Sequence, residues 1–178
     1  MGAVRPPRCL ECGCEAVVPG RPLGLHGHGT RARSLLGPES PGLRPREEEI
    51  LLRRYLCQRC GAVLVVGPHE VLPGLRYRAT AVVIALAQLA EGWSSVVIRQ
   101  QVSSQKILGH EGRRSWRAPA RWARRAQHLW PWIRAGPEAP AETLALRAVR
   151  ALASRAPAPT GRLLEDALSG AQLGGPRV

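Results

Sequence analysis

The stretch YLCQRCGAVLVV, Tyr55 to Val66, sets the pair Cys57-x-x-Cys60 between two short apolar runs. A pair of this kind holds half of a tetrahedral metal shell. The other half lies near the N-terminus, in CLEC, Cys9-x-x-Cys12. Both pairs run on into glycine, Gly13 and Gly61, which takes the tight conformation that turns backbone amides toward thiolates. Four sulfur ligands suit a structural Zn²⁺. A shell closed by four thiolates leaves no position for water, so the metal is expected to hold structure and perform no chemistry.

The insert between the two pairs is long. Forty-four residues separate Cys12 from Cys57, against roughly 15–20 in a compact four-Cys module. The insert reads as a β-excursion. One strand is expected near Leu25–Arg33, and SPGLRPREEE follows as a turn-rich, mobile piece. EILLRRYLC gives a second strand that enters the second Cys pair, and AVLVV, Ala62 to Val66, gives a third. The expected unit is a zinc ribbon with an elongated hairpin.

Three further side chains compete for the metal. Cys14 is surplus, and a spare thiol is favoured over a swap with Cys12 because C-x-x-C is the better spacing. His26 and His28 alternate along the first strand and would share a face, which raises a mixed Cys/His site, but a polar strand face is favoured because four Cys already complete the shell. A redox role for the Cys pairs ranks low, since neither pair opens a helix within a βαβ pattern. Zinc deaminase chemistry needs H-x-E with P-C-x-x-C, and neither motif is present.

The 178 residues allow one domain or two small ones. With no Phe, two Tyr and five Trp, core volume must come from Leu, Val, Ala and Trp. The net charge is +13, and of 26 basic residues only Lys106 is lysine. Arg, Ala, Gly and Pro share GC-rich codons, so part of that charge reflects composition. It still attracts phosphate backbones. The N-terminus lacks an apolar signal-peptide region. The longest apolar stretch, Ala79 to Ala90, is short of the roughly 20 residues that span a bilayer. The expectation is a cytoplasmic, nucleoid-associated protein with no membrane contact. Clustered cysteines in a reducing compartment point to metal and not to disulfides.

Beyond the third strand the period changes. Arg76 to Gly92 places Val82, Leu86 and Leu89 on one face and stops at glycine. Ser94 or Ser95 then caps a short helix ending at Val102. Helix, glycine turn, short helix is how a helix-turn-helix begins. Pro119 suits the first turn of a third helix and Pro131 stops it. Between them Trp122, Ala126, Leu129 and Trp130 share a face, which reads as core more than as a base-stacking surface. Arg121, Arg124, Arg125 and His128 share another face. From Arg99 to Arg134 there are nine basic residues and one acid, Glu111. Candidate DNA contacts are therefore Arg99, Lys106, Arg113, Arg114, Arg117, Arg121, Arg124 and Arg125. Ala141 to Arg155 reads as a helix, and the Pro/Gly content beyond Ala156 reads as a loose tail.

In this order the parts resemble a known family. CLEC, LHGHGTRAR and RRYLCQRCGA resemble the N-terminal zinc ribbon of bacterial insertion-sequence transposases, including the strand His28-Gly29-x-Arg31-x-Arg33. YRATAVVIALAQLAEGWSSVVIRQQV resembles the helix-turn-helix that follows it, and Arg121-Trp122 resembles an R-W pair of the third helix. The resemblance covers residues 7 to 134 and departs between Val102 and Ser115. It implies a DNA-recognition front end lacking the catalytic domain, whose three metal-holding carboxylates have no counterpart here.

The expected fold is small α+β: residues 1–70 a four-Cys zinc ribbon, 71–135 a helix-turn-helix-like domain, 136–178 an Ala/Pro/Arg-rich helix and disordered tail. The expected function is non-catalytic binding of double-stranded DNA. A homodimer or a separate transposase subunit is the expected protein partner. An RNA-binding zinc-ribbon protein and a zinc-held protein-interaction module stand as alternatives.

Overall fold

The computed structural model describes residues 5–104, 116–134 and 136–172. Among these residues the fold is α+β, with one three-stranded antiparallel sheet followed by six helices. No helix of the described residues is long and apolar enough to cross a membrane.

The sheet is a long hairpin with a short third strand. β1 (Leu25–Gly37) pairs with β2 (Arg46–Cys57), and β2 pairs with β3 (Val63–Val66). The register runs from Leu25 opposite Cys57 to Gly37 opposite Arg46, and it slips between Gly27 and Thr30. There two residues of β1, His28 and Gly29, face the single Arg54 of β2, which makes a bulge. Partners across a ladder share a face. The two ends of the hairpin are consequently covered on opposite faces. Leu25, Tyr55, Leu64 and Val66 pack with Cys9 and Cys57 at one end, and Leu35, Leu52 and Val71 pack together further along.

Both strands outrun their sequence boundaries. β1 continues to Gly37 instead of ending near Arg33, and β2 begins at Arg46, inside the stretch expected to be turn-like. Charge pairing accounts for the extension. Arg76 meets Glu47 at 2.9 Å, and the buried Arg78, 3% exposed, pairs with Glu48 and Glu70 and lies 3.8 Å from Glu39. These partners lie far along the chain. They hold the acidic run Glu47–Glu49 extended, where the run alone would favour solvent.

The segment 76–78 also joins the hairpin through its backbone. The amide of Leu36 donates to the carbonyl of Arg76 at 2.7 Å, and the amide of Arg78 donates to the carbonyl of Leu36 at 2.8 Å. α1 (Ala79–Ala90) therefore starts three residues after the point that periodicity suggests. It is buried from Ala81 through Ala87, which makes it the centre of the helical part. Its end is a Schellman arrangement: Gly92 donates to Leu89 at 3.0 Å and Trp93 donates to Gln88 at 3.0 Å. α2 (Ser95–Val102) follows, with the Ser94 hydroxyl accepting from the Val97 amide at 3.4 Å.

The expected Pro119–Pro131 helix is two pieces, α3 (Ala118–Arg124) and α4 (Ala126–Leu129). At the break the Arg125 amide is shared between the carbonyls of Arg121 and Trp122, both at 3.1 Å. That tightening of the last turn ends α3. The apolar side is nonetheless as periodicity places it: Trp122, Ala126, Leu129 and Trp130 are buried.

α5 (Ala141–Ala153) matches its expected start, and α6 (Leu163–Gln172) replaces the expected loose tail. Two features make the tail fold. The Asp166 carboxylate accepts from the amides of Thr160 and Gly161 at 2.6 and 3.1 Å and from the Thr160 hydroxyl at 2.9 Å. Those bonds, the Thr160 amide first, hold its acid below the usual carboxylate range. Gly170 packs directly on α5, where an added Cβ would come within 1.9 Å of the Leu152 carbonyl oxygen. One apolar core runs from Leu72 to Ala171 through α1, α2, α3, α5 and α6. This core begins at Leu72, next to Val71 of the sheet's second cluster, and continues past residue 135.

Candidate metal centre and basic face

The two Cys pairs are built alike. In the first, the Cys9 amide donates to the Cys14 carbonyl at 2.8 Å and the Gly13 amide to the Cys9 carbonyl at 2.9 Å. In the second, the Cys57 amide donates to the Ala62 carbonyl and the Gly61 amide to the Cys57 carbonyl, both at 2.9 Å. Gly13 and Gly61 carry φ of 69° and 75°, the left-handed conformation that closes each loop. The Gln58 amide donates to the Gly24 carbonyl at 2.9 Å and draws the second loop against the chain that leaves the first.

This places Cys9, Cys12, Cys57 and Cys60 with all sulfurs within 4.8 Å of one another. Cys9 and Cys60 are 3.8 Å apart at sulfur, and Cys12 and Cys57 are 3.7 Å apart. A tetrahedral shell with metal–sulfur bonds of about 2.3 Å has edges of about 3.8 Å. A disulfide needs about 2.05 Å, and all five cysteines are free thiols. The group of four can therefore hold one metal ion. Cys9 and Cys57 are buried and Cys60 is exposed.

Cys14 lies 3.3 Å from Cys57 at sulfur but stands outside the group of four. Its counterpart in the second loop is Ala62, which receives the same backbone bond. The repeated loop thus uses this position for its carbonyl and not for its side chain. Neither His26 nor His28 belongs to the group, and both are exposed.

Without metal the thiols divide their protons unequally. The amide of Cys60 first, with further help from the Cys14 thiol and the Arg59 amide, draws Cys57 down to about 6. Cys12 is lowered, chiefly by the Cys14 amide. Cys14 is pushed up to about 12, first by its bond to Cys57. Cys60 receives the Ala62 amide, which favours its thiolate, but burial and the neighbouring sulfurs of Cys57, Cys12 and Cys9 push it up to about 12.

The basic candidates fall in three groups. Arg117, Arg121, Arg124 and Arg125 are exposed along and beside α3, opposite the buried Trp122. Arg99 is half-buried on α2. Lys106, Arg113 and Arg114 lie outside the described residues. Within the strand His28-Gly29-x-Arg31-x-Arg33, Arg31 is exposed, whereas Arg33 reaches the carbonyls of Leu72 at 3.2 Å and of Leu75. Arg33 is therefore a clamp on the chain before α1.

Sequence reasoning did not single out Arg76 and Tyr77. Both line a cavity of about 520 Å³ with Arg121, Arg124 and Arg125. They reach α3 only through the fold, so no local pattern marks them. No family model matches this chain, and the searches of curated proteins and of solved structures return no match to it.

Proposed function

We propose that the chain is a zinc-holding, non-catalytic protein that binds double-stranded DNA. In this reading the Cys9/Cys12/Cys57/Cys60 shell carries a structural Zn²⁺, the hairpin and its two loops form a zinc ribbon, and α1–α2 with α3 act as a helix-turn-helix-like unit. A four-thiolate shell gives the ion no open position for substrate, so its contribution is to fold the ribbon. The reading follows the sequence resemblance to a transposase front end.

One observation carries the DNA reading. Arg117, Arg121 and Arg125 have no ion pair or hydrogen bond from their side chains among the described residues, and Arg124 has only a weak one to the Ala120 carbonyl at 3.5 Å. Ion pairs between described residues form only at Arg46, Arg76, Arg78 and Arg162, so what sets Arg117, Arg121, Arg124 and Arg125 apart is their gathering along one side of α3. A row of unneutralised guanidinium groups on one side of a helix suits a phosphate backbone. α2 adds exposed Gln100 and Gln101, a side chain that pairs with adenine in the major groove.

Mobility shift with blunt duplex, single-stranded DNA and RNA at two salt concentrations tests it. The expected result is preference for duplex. In the Arg121/Arg124/Arg125→Ala variant the salt slope of log K should fall by about 0.9 for each phosphate that is no longer neutralised. Unchanged duplex affinity and slope in that variant, with its fold intact, would overturn the assignment. Divalent-metal-dependent cleavage that survives further purification would overturn the non-catalytic part.

A further inference from the structure

The cavity beside α3 has a composition of its own. It holds about 520 Å³, within the roughly 300–1,000 Å³ of small-molecule sites. Tyr77, Trp116 and Trp122 supply its aromatic wall, and Arg76, Arg121, Arg124 and Arg125 stand around it. A second cavity of about 600 Å³, between α3 and α5, has Arg124, Arg134 and Arg147 but also Glu138, and no aromatic ring. Of the two, only the first pairs aromatic surface with arginine and has no carboxylate in its lining.

The rings meet edge to face. Tyr77 and Trp122 are 4.9 Å apart at 60°, and Trp116 and Trp122 are 5.4 Å apart at 87°. Trp122 is buried, while Tyr77 and Trp116 are half-buried. Tyr77 and Trp116 lie 6.0 Å apart with their planes tilted by 59°, so a flat π-system can stack on one of them and meet the other at its edge. The Tyr77 hydroxyl is anchored on the Ser103 hydroxyl at 3.0 Å, which fixes the ring. Arg76 is held by Glu47 at 2.9 Å. Arg121 and Arg125 have no such carboxylate among the described residues, and Arg125 arches toward Gly74. Like charges gathered at one rim repel, and an anion there relieves the cost.

We propose that this cavity takes one unstacked nucleotide, with its base stacked on Trp116 and edge-on to Tyr77 and its phosphate on Arg121 and Arg125. A flat aromatic group joined to a phosphate is the ligand that uses both halves of the wall. The nucleotide comes from a DNA strand if the duplex-binding reading holds, and is a free mononucleotide otherwise.

The test uses the whole metal-loaded chain at one salt concentration. The probes are a blunt duplex, the same duplex with one unpaired terminal nucleotide, a nucleoside 5′-monophosphate, inorganic phosphate and a phosphotyrosine peptide. Stacking of one base predicts roughly fivefold to 150-fold tighter binding of the duplex with the unpaired nucleotide. Trp116→Leu should erase that gain and leave blunt-duplex affinity in place. Arg121→Glu, at an exposed residue, should abolish monophosphate binding and serves if Trp116→Leu disturbs the fold. Equal binding of the two duplexes, together with no preference for monophosphate over phosphate, overturns the pocket while leaving the DNA reading standing. Trp116-dependent monophosphate binding without any duplex binding sustains the pocket and overturns the DNA reading. A phosphotyrosine peptide held in preference to the monophosphate overturns the nucleotide assignment.

Discussion

The sheet part and the helical part of this chain are stabilised in different ways. Around the hairpin the apolar clusters are small: Leu35, Leu52 and Val71 in one, and Leu25, Tyr55, Leu64 and Val66 with two cysteines and Ala16 in the other. The helical part has one continuous core that includes Trp122, Trp130, Leu129, Ile98 and most of α1. Small units with thin cores need a staple. The group Cys9, Cys12, Cys57 and Cys60 can supply one, by holding a metal ion at the end of the hairpin where Cys9 and Cys57 belong to the apolar cluster. The helical part has none and relies on burial.

Metal removal should break this comparison most sharply. Metal binding contributes on the order of 10–16 kcal/mol to small zinc modules. Cys57→Ser, or a strong chelator, should therefore melt the hairpin and leave the helical signal. Circular dichroism with hydrogen exchange separates the two. Loss of protection in β1 and β2 with protection retained in α1 and α5 is expected. Simultaneous loss in both would show that the sheet part also supports the helical core. Metal affinity should fall on acidification from about pH 8 to about pH 6, because protons compete for the sulfurs. Cys57, lowered to about 6, keeps its thiolate through most of that range, while Cys60, raised to about 12, must give up its proton whenever metal enters.

The reverse experiment acts on the helical core. Trp130 is fully buried, and Trp130→Ala should cost about 4 kcal/mol, within the range for deleting a buried aromatic. Metal content should stay at one ion per chain. Thermal unfolding followed beside metal release checks both. A Trp130→Ala protein that also lost its metal would mean that the two parts fold as one.

The two parts also differ in how far the sequence exposes them. The Cys pairs are legible because ligand chemistry fixes their spacing locally, down to Gly13 and Gly61. α1 and the buried side of α3 are legible from periodicity. The departures share a cause: partners remote in the chain. The Glu47–Glu49 run reads as loop until Arg76 and Arg78 are brought beside it. α6 is masked by its Pro/Gly flanks, and its buried face is largely Ala167, Gly170 and Ala171, residues too small to give a strong apolar period. Gly170 looks like a helix breaker and is instead the contact that lets α6 approach α5. The break at Arg125 escapes for a related reason, since the apolar side of the sequence continues unbroken across it.

Arg78 joins the two parts, and its loss sharpens the comparison by testing the seam. It is 3% exposed and pairs with Glu48 of β2 and Glu70 after β3, immediately before α1. Removing one partner of a buried pair costs about 3–5 kcal/mol. Both glutamates keep solvent access, so Arg78→Met should fall at the low end, about 3 kcal/mol. Exchange should increase at the Arg46 end of β2 more than at the Cys57 end. Equal loosening of both ends would show that the ion pairs do not localise the seam.

The smallest effect is expected at Cys14. Its sulfur lies nearer Cys57 than does that of Cys12, 3.3 against 3.7 Å, so distance alone would make it a ligand. Two observations oppose that. The four-sulfur group forms without it, and the repeated loop places Ala62 at the corresponding position. The contact between the Cys14 and Cys57 sulfurs pushes the Cys14 thiol up to about 12. A metal on Cys57 takes the electron pair that a hydrogen bond there would use, so the contact is dispensable once the site is loaded. Cys14→Ser should keep one zinc per chain and change the stability of the loaded protein by less than about 1 kcal/mol, because a serine hydroxyl of similar size keeps a donor where the weak thiol donor stood. Cys12→Ser should lose the metal. The two variants are measured side by side by metal analysis after gel filtration. Zinc retained in Cys12→Ser and lost in Cys14→Ser would exchange the two assignments and make the second loop, with Ala62, the departure from the first.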